Sequence, residues 1–134
     1  MTATRRSWAF AVLAGGAWAA LRVGRVRRVE VVGDSMRPTL EPGDRLVLSR
    51  GRRPRVGELV AVVDPRQPAR TVIKRLAAVS AAGLIVVGDN PAASTDSRVF
   101  GPVAPGAVRG RVVYRYHPVD RRGRLSSPGP TSRW

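Results

Sequence analysis

Beyond residue 28 the chain is cut into six short apolar runs by turn residues, and that rhythm restricts the fold more than any other feature. The runs are Val29–Val32, Arg45–Ser49, Glu58–Asp64, Thr71–Val79, Leu84–Val87 and Ala107–Tyr116, all rich in Val, Ile or Leu. Between them stand Pro42-Gly43, Arg53-Pro54, Asp64-Pro65, Ala82-Gly83, Asn90-Pro91 and Pro105-Gly106. Branched apolar residues suit a pleated surface, and Gly or Pro at such intervals ends one strand before the next begins. The expectation is a mainly β fold, a compact and partly closed β-sheet or barrel. No long helical periodicity follows residue 28, and 134 residues suffice for one modest core.

The first 28 residues have a different texture. Residues 1–6 are polar, and Trp8–Leu21 is a run of fourteen uncharged residues closed by Arg22. A helical bilayer span takes about 20 residues. Extending the segment from Ser7 to Gly24, with Arg22 reaching toward the headgroups, makes a thin bilayer crossable. A short apolar helix serving as a membrane anchor is one reading; a signal-peptide core and an amphipathic or buried helix are the others. The charges conflict with an exported catalytic domain. Arg22, Arg25, Arg27 and Arg28 follow the run against Arg5 and Arg6 before it, which favours a cytoplasmic domain. At the other end, residues 119–134 read as a disordered basic tail. The expected organisation is thus 1–28 anchor, 29–118 folded domain and 119–134 tail.

Composition removes several chemistries. There is no cysteine, so disulfides, thiolate metal sites and cysteine nucleophiles are excluded. The single histidine, His117, rules out a His-rich metal site and makes any Ser-His-Asp triad depend on one residue near the tail. No metal and no cofactor is expected. The net charge of +15 points to nucleic acid or an anionic membrane surface. With 5% aromatic residues, no basic helix and no zinc-finger spacing, nucleic acid is not the expected partner.

The basic residues hold a sharper clue: of the 24, Lys74 is the only lysine. Arginine stays protonated at any working pH, whereas a desolvated lysine can become a neutral amine. On a strand Thr71–Val79, Val72, Lys74 and Leu76 share one face, so Lys74 lies among apolar neighbours that lower its pKa. A lysine at the sheet edge with its amine in water fits the pattern equally well. Upstream, Gly33-Asp34-Ser35-Met36-Arg37-Pro38-Thr39-Leu40 sets a serine where a strand gives way to irregular backbone. Such a site offers a nucleophile with backbone N–H groups beside it, the two needs of acyl transfer. It is also compatible with an ordinary turn serine. Downstream lies the polar loop Gly88-Asp89-Asn90-Pro91-Ala92-Ala93-Ser94-Thr95-Asp96-Ser97-Arg98.

In that order the three segments resemble the motifs of the type I signal peptidases. These Ser/Lys endopeptidases share a β-rich fold with the LexA-type self-cleaving repressors. Gly33–Leu40 looks like the nucleophile motif, Lys74-Arg75 like the general-base motif, and Gly88–Arg98 like the closing motif. Gly57–Val63 is similar to the substrate-flanking strand, and the resemblance spans roughly residues 29–117. It implies a serine endopeptidase that removes N-terminal signal or leader peptides from precursor proteins, with Ser35 as nucleophile and Lys74 as general base. The Ser35 N–H would donate to the oxyanion; Gly33 occupies the position where some members carry a second, hydroxyl donor. Ser94 would orient the lysine amine, and Asp96 and Arg98 would hold the loop. Val31, Met36, Leu40 and Ile73 would line pockets for small side chains. By the same resemblance the chain would be membrane-bound by one N-terminal pass, with its catalytic domain outside the cytoplasm; a cytoplasmic domain is the alternative.

Two departures matter. The domain lacks the large β insertion of the longer bacterial enzymes, and the apolar segment is short with its charges reversed. Both, together with Phe100-Gly101-Pro102-Val103, also resemble the small branch that matures nickel-type superoxide dismutase precursors, which would make the chain a soluble protease for one precursor. A non-catalytic basic β-barrel binding nucleic acid is the rival from another class; it accounts for the charge but not for the sole lysine or the closing loop.

Overall fold

A computed structural model describes residues 26–125. The strands are β1 (Val26–Glu30), β2 (Arg45–Ser49), β3 (Leu59–Asp64), β4 (Gln67–Ser80), β5 (Gly83–Val87), β6 (Val108–His117) and β7 (Gly123–Arg124). One short helix, α1 (Ser97–Phe100), follows the loop after β5. All strands join one antiparallel sheet in the order β1-β2-β6-β3-β4-β5, with β7 pairing β6. The mainly β expectation holds. The sheet is not closed, however: β1 and β5 end the path, and no pairing joins them among the described residues. The expected N-terminal helix and anchor lie outside the described residues, among which no helix is long and apolar enough to cross a membrane.

Alternation along the central strand builds the core. On β3, Leu59 and Ala61 point into a cluster with Val31, Met36, Leu40, Leu46, Leu48, Ile73 and Val112. Val60 and Val62 point the other way, into a cluster with Leu76, Leu84, Val86 and Val103. A strand covered on both faces reads as a continuous apolar run rather than an alternating one, which is what Leu-Val-Ala-Val-Val is. Each such side chain contributes roughly 1.5–3 kcal/mol on burial. The residues of the serine loop, Met36 and Leu40 above all, cap the first cluster, so the loop is fixed by core packing.

Strand boundaries differ from expectation where pairing overrides composition. β1 begins at Val26 because Arg27 and Arg28 pair across from Leu48 and Val47 despite their charge. Val31 instead leaves the strand, its N–H donating to the Asp44 carbonyl at 2.8 Å. β4 starts at Gln67, well before Thr71, and carries Pro68. Proline lacks an N–H and so sits on sheet edges. The first half of β4 does pair with β3 on one side only, because β5 joins it from Arg75 onward.

Residues 119–125, assigned to the tail by sequence, continue the fold. A 3-10 turn at Val119–Arg121 precedes β7. From that turn Arg121 reaches the buried Asp44 carboxylate at 2.9 and 3.0 Å, which also accepts from Arg115 at 3.2 Å. The remainder of the expected tail, 126–134, lies outside the described residues.

Candidate active site

The three motifs converge on a cavity of about 160 Å³ whose wall includes Ser35, Lys74, Val31, Met36 and Ile73. Leu40, expected as a pocket residue, is fully buried in the core beneath it and does not line the cavity. His117 ends β6 and is likewise absent from the lining.

Lys74 occupies a core position on β4. It pairs across from Val60, and Val72 and Leu76 on either side of it pack with the Val60–Val62 cluster. The residue is 3% exposed. Burial is the largest influence on its amine and lowers its pKa below the ordinary lysine value. Arg70 and Arg66 push in the same direction, while the Asp96 and Asp64 carboxylates oppose them.

The Lys74 Nζ donates to Ser94 Oγ at 3.0 Å, and Ser94 Oγ donates to Asp96 Oδ2 at 2.6 Å. This ordering has a chemical consequence. With its own proton committed to Asp96, the Ser94 hydroxyl can only accept from the amine. A neutral Lys74 therefore spends an N–H on Ser94 and keeps its lone pair for another partner.

Asp96 is the buried anchor of the chain of contacts. It is fully buried, and accepts from the Gly88 N–H at 2.8 Å, the Arg98 N–H at 3.1 Å and the Arg98 guanidinium at 2.9 and 2.6 Å. Desolvation, the largest single effect, raises its pKa. The hydrogen bonds from Arg98, Ser94 and Gly88 together outweigh it and hold the carboxyl far below the usual range. Asp96 also caps α1, which turns the chain so that Arg98 folds back over the carboxylate.

Ser35 lies in the turn that follows Gly33, whose φ of +81° favours glycine. Among the described residues no acceptor takes the Ser35 N–H, and no hydrogen bond joins Ser35 Oγ to Lys74 Nζ. The serine loop is clasped from the far side by the loop after β5. The Asn90 N–H donates to the Ser35 carbonyl at 2.9 Å, and Asn90 Nδ2 donates to the Asp34 carbonyl at 3.1 Å. Asp89 takes a bidentate contact from Arg75 at 2.8 and 2.7 Å and accepts from the Thr39 hydroxyl. Arg75 also donates to the Gly57 carbonyl at 2.7 Å.

Gly88 completes the closure by having no side chain. A Cβ there would overlap the Ser94 hydroxyl and stand 2.6 Å from the Ser35 carbonyl oxygen. Both arms of the site thus pass over one glycine.

Sequence reasoning named Ser35, Lys74, Ser94, Asp96 and Arg98 but assigned no role to Gly88, Asp89, Asn90, Arg75 or Thr39. Their signal was the Gly-Asp-Asn run itself and the arginine beside the lone lysine. Arg66 and Arg70, on the cavity wall near Lys74, were not picked out either.

The mitochondrial ATP-independent inner membrane protease subunit 1b of Arabidopsis thaliana is 32% identical over 74% of this chain and 74% of its own length. Mitochondrial inner membrane protease subunit 2 is 32% identical in Mus musculus, covering 84% of this chain and 78% of its own. The human form of subunit 2 is 31% identical over the same shares. No solved structure matches the chain significantly. The sequence model of the family described as signal peptidase, peptidase S26, matches residues 4–83, which include Ser35 and Lys74. The chain belongs to the signal peptidase family, peptidase S26.

Proposed function

We propose that this signal peptidase family member cleaves N-terminal leader peptides with a Ser35/Lys74 dyad. The observation that carries the reading is the burial of the only lysine in a cavity it shares with Ser35, with its amine held by Ser94; burial lowers the pKa of that amine. The neutral Lys74 amine takes the Ser35 proton as Oγ attacks the scissile carbonyl carbon. The Ser35 N–H stabilises the tetrahedral oxyanion, and the resulting lysine ammonium protonates the departing amine. Water, deprotonated by the regenerated amine, then releases the acyl group from Ser35.

The substrate lies extended along the outer edge of β4 between Gln67 and Lys74, where no strand among the described residues pairs and a further strand can be added. Val31, Met36 and Ile73 leave a cavity sized for small side chains next to the cleaved bond. Substrates are precursor proteins with leader peptides, and attachment to a membrane through the Trp8–Leu21 segment brings enzyme and precursor to one surface. The sequence of the closing loop makes a nickel-type superoxide dismutase precursor one substrate to assay.

The test is covalent. An electrophilic peptide with small residues flanking its reactive carbonyl should label Ser35, and Lys74→Arg should abolish labelling while the protein stays folded. Labelling at another residue, or undiminished labelling of Lys74→Arg, would remove the dyad.

A further inference from the structure

The net charge of +15 is not absorbed by the catalytic reading, and its distribution is uneven. The β2–β3 connection carries Arg50, Arg52, Arg53 and Arg55, and the start of β6 adds Arg109 and Arg111. The sheet register puts these at one place. Ser49 at the end of β2 pairs across from Arg111, and Arg50 Nε donates to the Arg109 carbonyl at 2.8 Å. The one carboxylate among them, Glu58, is spent on Arg52 in a bidentate pair at 2.8 and 2.7 Å. Arg111 remains 4.0 Å from Glu58, with its Nε lacking an acceptor among the described residues. The side chains of Arg53 and Arg55 are exposed and make no hydrogen bond among the described residues.

The same place is where the N-terminal segment joins the domain. Val26, the first residue of β1, pairs across from Ser49. The described chain, which follows the uncharged run Trp8–Leu21 in sequence, therefore begins beside the arginine loop. Val26 and Val56, the latter within that loop, are 46% and 55% exposed.

We propose that this end of the sheet docks on an anionic phospholipid surface, with the exposed Arg53 and Arg55 of the β2–β3 loop contacting lipid phosphates and the neighbouring arginines adding to the positive potential there. Guanidinium matches phosphate geometry, and exposed valines beside it fit a headgroup boundary. A nucleic acid would use the arginines but has no use for the valines or for the neighbouring apolar segment. The proposal does not depend on the Ser35/Lys74 chemistry, so Ser35→Ala protein should dock unchanged.

The experiment measures partition of the full chain between buffer and vesicles of phosphatidylcholine alone or with phosphatidylglycerol. The apolar segment contributes to both, so the ratio of the two affinities isolates headgroup charge. Arg53→Gln/Arg55→Gln removes two charges without disturbing the Glu58 pair. At about fivefold per arginine near an anionic surface, the preference for phosphatidylglycerol should fall about 25-fold. Raising salt should erase the wild-type preference. Equal wild-type affinity for both vesicles, or an unchanged preference in the double variant, would overturn the proposal. So would duplex DNA that displaces the protein from the anionic vesicles at lower concentration than the lipid requires.

Discussion

Replacing Asp96 by alanine should cost more stability than any other single change in the polar part of the site. The carboxylate is fully buried and ties together the Ser94 hydroxyl, two backbone N–H groups and the Arg98 guanidinium. Its removal strands the Gly88 N–H and the Ser94 hydroxyl where water is excluded, at about 1–3 kcal/mol for each unsatisfied group. Breaking a buried ion pair by deleting one partner costs about 3–5 kcal/mol. Because Arg98 is 43% exposed, its own charge can turn to solvent. A loss of about 3–4 kcal/mol is therefore expected, a large share of the 5–15 kcal/mol typical of a domain. Arg98→Ala should cost about 3 kcal/mol, since it leaves the buried carboxylate without the guanidinium that does most to hold it ionised, although its N–H and hydroxyl donors remain. Urea unfolding followed by far-ultraviolet circular dichroism measures both. Wild-type stability in Asp96→Ala with abolished cleavage would refute the structural role.

The same carboxyl predicts acid lability. Its folded pKa lies below the unfolded value of about 3.8, so its stabilisation is complete above that value and is lost as pH falls through the folded pKa; unfolding midpoints at decreasing pH check this against Asp96→Asn, which should flatten the dependence. Gly88→Ala should lower both turnover and stability, because the added methyl displaces Ser94 and the serine loop together, whereas Gly106→Ala, with open space around it, should be silent. Cleavage should rise with pH through the lowered Lys74 pKa, since the neutral amine is the active form. Arg70→Gln, which deletes a cation that disfavours the ammonium, should move that rise to higher pH, and a profile shifted to lower pH would contradict the assignment.

The strand rhythm was readable because pleated, branched runs and Gly/Pro turns are local signals. That Ser35, Lys74 and the closing loop meet at one cavity was legible only from the three motifs in order, since each alone also reads as a turn serine, an edge lysine or a polar loop. What escaped is long-range. β1 gained Arg27 and Arg28 through pairing with β2, which no propensity foretells. The openness of the sheet depends on whether β1 and β5 meet, a property of accumulated twist rather than of either strand's sequence. Asp44 drew Arg115 and Arg121 into one buried network from distant positions, and that carried the fold beyond Pro118 into what composition read as tail. Leu40 shows the limit of motif matching: it sits in the right segment, yet the turn rotates it into the core.

The central claim is that Lys74 acts as a base rather than as a cation, and cleavage of a leader peptide by purified Lys74→Arg protein tests it most directly. The substitution keeps the positive charge and much of the packing, but guanidinium cannot deprotonate near neutrality. Lys74→Arg, Ser35→Ala and the double variant should all fall to one common floor, because residues that act as a unit lose activity together rather than additively. Substantial cleavage by folded Lys74→Arg protein, or a double variant markedly slower than either single one, would contradict the dyad.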